Sequence, residues 1–179
     1  MSLFQATLAT GFILIVLGLP LVVINAVSQR MAVSFLRSQK AAAITMILGA
    51  SWFLMRHVVN LSDADFGNYK GLITIISLAI LLFSFLFLPD FLSVRGASIL
   101  FLLFSREALD AALFQQPETR LFMVSAVYLG IVAALYLSAW PYRLRDFFEW
   151  LFRKSGRARL MGAIMASYGV LLGILAYNY

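Results

Sequence analysis

The chain has 179 residues, 63% of them hydrophobic and 12% charged, with 14 Lys and Arg against 8 Asp and Glu, a formal charge of +6 and no Cys. A soluble domain carries about a quarter charged residues, so this composition excludes an ordinary water-facing surface, and the lack of Cys excludes disulfides, thiolate chemistry and Cys-ligated metals. The positive charge does not point to nucleic acid, because the basic residues stand between apolar runs near the ~20 residues that a helix needs to cross a bilayer.

The first apolar run covers Ala6–Val27. Met1 to Thr10 carry no Lys or Arg, whereas a secretory signal opens with a positive region, so the run reads as a retained helix. Pro20 lies inside it and predicts a kink, with the freed carbonyl satisfied by neighbours. The connection that follows holds Arg30, Arg37 and Lys40 without an acid, interleaved with Met31, Val33, Phe35 and Leu36. It reads either as a short amphipathic helix in the headgroup layer or as a plain topology signal.

The second span is Ala41–Asn60, with Arg56 and His57 in its last quarter. Beyond it, Asn60, Ser62, Asp63, Asp65 and Asn68 offer too few carboxylates for a divalent-cation site and fit an Asx-type turn and cap before Gly71. The third span is Gly71–Leu88, and the short turn from Pro89 through Asp90 to Arg95 predicts a tight hairpin into the fourth, Gly96–Phe114.

That fourth span contains Ser105-Arg106-Glu107-Ala108-Leu109-Asp110. At 1.5 Å per residue, Arg106 is expected near the middle of the bilayer, where a lone charge costs on the order of 2.5–3.5 kcal/mol. Arg106 and Asp110 are i,i+4 neighbours and can pair. Glu107 projects about 100° away and needs another partner, which Arg56 supplies if the second and fourth spans are neighbours. Arg56, His57, Arg106, Glu107 and Asp110 then form one polar cluster in the outer half of the bundle. Its readings are a site for a proton, ion or anionic ligand, an ion-paired clamp or subunit contact, or a shallow group of charges touching outer water.

Glu118 and Arg120 precede the fifth span, Leu121–Trp140. The next connection carries Arg143, Arg145, Arg153, Lys154, Arg157 and Arg159 against Asp146 and Glu149, interleaved with Phe147, Phe148, Trp150, Leu151 and Phe152. It predicts an interfacial helix over Tyr142–Phe152, with Glu149 and Arg153 at i,i+4 spacing. The two basic connections supply the expected contacts to anionic headgroups: Arg30, Arg37, Lys40, Arg143, Arg145, Arg153, Lys154, Arg157 and Arg159. The sixth span is Leu160–Tyr177, where Ala158, Gly162 and Ala166, then Gly169 and Gly173, present small residues every four positions for close approach of another helix. Trp140, Tyr142 and the terminal Tyr177-Asn178-Tyr179 fit interfacial anchors.

With six crossings, both basic connections fall on one side, the cytoplasmic one by the positive-inside rule, and both termini face outward. Phe35-Leu36-Arg37-Ser38 entering the second span and Leu151-Phe152-Arg153-Lys154-Ser155 entering the sixth hint at an internal duplication, although any apolar helix with a basic flank looks alike. His57 is the only His, so His-pair haem or zinc ligation is excluded; an interfacial polar residue is the plainer reading, with an axial pigment ligand or proton-relay member as the alternative. No Gly-rich phosphate loop or nucleophile elbow is present.

The sequence therefore predicts an all-α, single-domain membrane bundle of about six helices with two short interfacial ones, in a bacterial inner membrane. It is read as a non-catalytic accessory or scaffold subunit, or a homo-oligomer, without a cofactor. Its partners would be membrane lipids and other subunits or copies of itself, not nucleic acid. The alternative is a small transporter or channel using the Arg/Glu/Asp cluster.

Overall fold

The computed structural model describes residues 1–23, 26–62, 66–88 and 90–178. The expectations placed on Asp63, Asp65, Pro89 and Tyr179 lie outside the described residues. Among those described, the chain is 85% helical and has no strands. The helices are α1 (Leu3–Val22), α2 (Ala26–Arg37), α3 (Gln39–Phe53, prolonged by a π turn over Leu54–Val58), α4 (Lys70–Phe87), α5 (Leu92–Ala112), α6 (Arg120–Ala139), α7 (Tyr142–Phe152) and α8 (Ser155–Ala176). Five are long and apolar enough to cross a membrane: α1, α3 with its π turn, α4 with the short 3₁₀ turn before it, α6 and α8. α5 is 21 residues long but carries Arg95, Arg106, Glu107 and Asp110.

The first and last helices make the closest pair. α1 and α8 run antiparallel with glycine facing glycine. A Cβ added at Gly11 would stand 2.7 Å from the Gly169 carbonyl oxygen, and one at Gly18 would stand 2.8 Å from that of Gly162. A Cβ at Gly162 or Gly169 would come within 2.6 Å of the opposite backbone. Backbones approach this closely where no side chain intervenes. The working interval is seven residues on both helices, two turns, and not the four read from α8 alone. Gly173 has open space around it, and Ala166 meets α1 through its backbone N–H near Gly18. The Phe4 and Tyr177 rings meet edge-on at 5.8 Å, so both ends of the chain lie at one end of the bundle. Pro20 falls in the closing turn of α1, two residues before its end, so a mid-helix kink does not arise from it.

α3 and α5 run parallel and in direct contact. Gly96 lies against Thr45, and Gly49 against Ile99. α5 is flanked on its other side by α6, where the Phe101 ring covers Gly130. Two parallel neighbours leave no room between them for the antiparallel helix that joins them. α4 is therefore displaced to the outside: Leu81 and Phe85 touch Ala42, Met46 and Leu92, and none of its residues is buried. The expected tight α4–α5 hairpin is corrected accordingly: the turn is short, but α5 gives its faces to α3 and α6. The main apolar core, including Leu3, Ala6, Phe104, Ala108, Met123, Val127 and Leu172, lies between α1, α5, α6 and α8 toward the end that holds the termini.

At the opposite end, α2 and α7 pack beside each other and bury Leu36 and Leu151. The Ser93 hydroxyl at the start of α5 donates to the carbonyls of Phe35 (2.6 Å) and Leu36 (3.2 Å), closing the end of α2. On α7, Glu149 pairs with Arg145 at 3.7 Å, four residues before it, instead of with Arg153. Arg157 lies in the first turns of α8, not in a loop; its guanidinium sits 4.6 Å from the Trp150 ring and donates to the Trp150 carbonyl. Arg30, Arg37, Lys40 and Arg95 share this end with the six basic residues from Arg143 to Arg159. The suspected duplication does not extend to the packing: α1 packs on α8, whereas α6 packs on α5 and not on α3.

A Gly18→Leu chain should lose about 1–3 kcal/mol of stability, as overpacked contacts do, while Gly173→Ala should stay within about 0.5 kcal/mol of the parent. Thermal melts in detergent followed by Trp fluorescence check this; equal losses would remove the α1–α8 contact as the reason.

Candidate polar site at the terminal end

The π turn at the end of α3 places the site. The Val59 N–H donates to the Leu54 carbonyl, five residues back, at 3.0 Å, the wide turn that π geometry describes. The Asn60 side chain donates to the carbonyls of Met55 (3.2 Å) and Arg56 (3.0 Å), taking up groups at the helix end. With Val58 buried, Arg56 and His57 are presented to the last two turns of α5.

Arg56 donates twice to the Glu107 carboxylate, from Nε to Oε1 at 2.9 Å and from Nη2 to Oε2 at 3.2 Å. This is the side-by-side geometry that makes guanidinium–carboxylate pairs strong. Arg106 reaches Asp110 at 3.9 Å along α5, a looser pair. The exposures separate the two: the Glu107 side chain is 14% exposed, whereas Arg106 and Asp110 are 63% and 68% exposed. The inner acid is locked and the outer pair is open.

The contact that the sequence does not reveal is between Arg106 Nη1 and His57 Nδ1, at 3.1 Å. A guanidinium has donors and no acceptor, so Nδ1 must accept. His57 is then neutral, with its proton on Nε2. Nε2 is buried and has no hydrogen-bond partner among the described residues. A buried donor without an acceptor costs about 1–3 kcal/mol.

All five predicted cluster residues come together. With Met1, Asn60 and Ala111 they line an open recess of about 370 Å³. Its depth differs from expectation. α5 ends at Ala112, so Arg106 lies six residues, about 9 Å, from the helix end, beside the end of α3 and the start of α1. The charges occupy one end of the bundle and not its middle. Among the described residues no group of three or more His, Asp or Glu is placed to hold a metal ion. The basic residues expected at headgroups, Arg30, Arg37, Lys40, Arg143, Arg145, Arg153, Lys154, Arg157 and Arg159, all belong to the opposite end. No family model matches the chain, and no curated protein or solved structure matches it.

Nitrogen-15 NMR of the His57 ring should show the Nε2–H tautomer, and Arg106→Ala should release it to a tautomer mixture. An Nδ1–H ring in the parent chain would overturn the Arg106–His57 assignment.

Proposed function

We propose that this chain is an integral membrane protein of six crossings, α5 included, with both termini outside and the α2–α7 end in the cytoplasm. It acts without catalysis as an accessory or scaffold subunit of a larger membrane complex, or as a homo-oligomer. The five long apolar helices support the membrane assignment. The packing of α5 against both α3 and α6 supports counting it as a crossing. The concentration of cations at the α2–α7 end supports the orientation, through the positive-inside rule, and suits a bacterial inner membrane.

The observation that carries the assembly role is α4. It is an 18-residue helix with no buried residue. Its hydroxyls are self-satisfied: Thr74, Ser77 and Ser84 each donate to the carbonyl four residues before, at 2.7–2.8 Å. Such a face takes an apolar neighbour without leaving a polar group unpaired. The glycines of α8, by contrast, serve packing within the chain and are not counted toward a partner. Because the chain has no Cys, single-Cys probes are clean. Ile75→Cys or Leu82→Cys on α4 should cross-link in native membranes to a second subunit or copy, whereas Leu135→Cys on α6 should not. Absence of any α4 cross-link, together with a monomer by native mass spectrometry, would defeat the assembly role.

The open recess favours a second reading, a transporter or channel that admits an ion or anion at Arg56, Arg106, Glu107 and Asp110. That reading expects ion flux in proteoliposomes that Glu107→Gln reduces by about tenfold or more, the effect of losing a charge-assisted pair. Flux equal to that of empty vesicles would dismiss it.

A further inference from the structure

A second recess, of about 340 Å³, opens at the basic end where α2 turns into α3. Its polar wall is Arg37, Ser38 and Gln39, and its apolar wall is Ala42, Ala43, Phe85 and Leu92. Both walls belong to structure already held in place. Ser93 ties the end of α2, as described, and the Arg37 guanidinium lies 5.9 Å from the Phe91 ring. Phe91 itself adopts a left-handed backbone, φ 56°, a costly conformation for a residue with a side chain, which sets its ring beneath Arg37.

The donors here are unspent. Arg37 forms no ion pair among the described residues. Ser38 Oγ accepts from the Ala41 N–H at 3.1 Å, which leaves its own proton to donate. Gln39, in the first turn of α3, brings its side-chain amide to the same opening. A guanidinium, a hydroxyl and amide donors converging on one opening suit a singly charged phosphate diester. The apolar wall continues below into the cleft between α3 and the displaced α4, where Leu81 and Phe85 make the thin contact. A free phosphate has no use for that wall; an acyl chain does.

We propose that this recess binds the headgroup of an anionic phospholipid, with one acyl chain lying in the α3–α4 cleft. This rests on the reading that the chain spans a membrane with its basic end at a leaflet surface. The site is distinct from the general attraction of the surrounding cations, because it adds directed donors and a shaped apolar floor.

The test uses the full chain in mild detergent, titrated with phosphatidylglycerol or phosphatidylcholine and read by native mass spectrometry. One phosphatidylglycerol should bind in preference to phosphatidylcholine. Arg37→Ala should weaken it by about tenfold, and Ala43→Trp, which fills the recess, should do the same without removing charge. Arg30→Ala, two turns earlier on the same helix, reads the share of the general positive field and should cost about twofold or less. Equal losses in Arg37→Ala and Arg30→Ala, no effect of Ala43→Trp, or displacement of the lipid by millimolar inorganic phosphate would each overturn the proposal. Retention of the protein in alkali-washed vesicles tests the membrane reading separately: release would defeat that reading, whereas retention without phosphatidylglycerol preference defeats this one alone.

Discussion

The placement of α5 is the constraint on which the arrangement turns. This helix has to carry Arg106, Glu107 and Asp110 through its last two turns, and an unpaired charge on an apolar surface is expensive. Placing the helix between α3 and α6 covers its sides, and ten of its residues are buried. The charges are left at the helix end, where Arg56 meets the inner acid and the outer pair faces an open recess. A neighbour had to supply a guanidinium at the right height. The π turn in α3 presents it there together with His57, which in turn accepts from Arg106. Among the long helices, the one least suited to lipid by composition thus becomes the interior of the bundle, and the one best suited, α4, is pushed to the outside.

Closure of the bundle depends on a different economy. α1 and α8 have no charges to hold them together along their contact, and under the proposed membrane placement there would be little hydrophobic drive between them. What remains is contact area, and four glycines raise it by letting backbones touch. Because the contact joins the first helix to the last, it also sets Phe4 against Tyr177 at the end of the bundle where Met1 lines the polar recess. The Tyr168 hydroxyl adds a directed tie from α8 to the Phe122 carbonyl of α6, at 2.9 Å. The core that fills the space between α1, α5, α6 and α8 is built largely from Ala, Val, Leu and Met, residues that fit where helices are already close.

Much of this is legible in the sequence because hydropathy and charge act locally. The length of each apolar run foretells its helix to within five residues; the widest misses are the end of α1, at Val22 and not Val27, which belongs to α2, and the start of α8, at Ser155 and not Leu160. The alternation of aromatic and charged residues foretells α7 over Tyr142–Phe152, and i,i+4 spacing foretells the Arg106–Asp110 pair. The features that escape are those decided by a neighbour. The glycines of α8 read as a four-residue stripe until Gly11 and Gly18 on α1 are set against Gly162 and Gly169; a shared seven-residue interval in both helices was the available signal. The π turn has no residue signature, so the rotation that brings His57 to Arg106 could not be counted. Counting residues from an assumed span start also placed Arg106 too deep, since the helix begins at Leu92 and not at Gly96. Glu149 had two basic neighbours at four residues, and spacing alone could not choose Arg145 over Arg153.

The two ends of the molecule follow from the same sorting. In the terminal-end recess two acids stand against two Arg, and they pair as Arg56–Glu107 and Arg106–Asp110. At the α2–α7 end the cations outnumber Asp90, Asp146 and Glu149, and Arg37 stands over the Phe91 ring with no carboxylate partner among the described residues. An excess of one charge at a surface creates a field that a counter-charge from outside must answer. α2 and α7 hold the cations at this end while Leu36 and Leu151 stay buried in the protein, and under the proposed orientation anionic headgroups would supply that counter-charge. A ligand from the aqueous side therefore has to compete with internal pairs at the terminal end, where Arg56–Glu107 is locked and Arg106–Asp110 faces the open recess, and meets cations in excess of acids at the other.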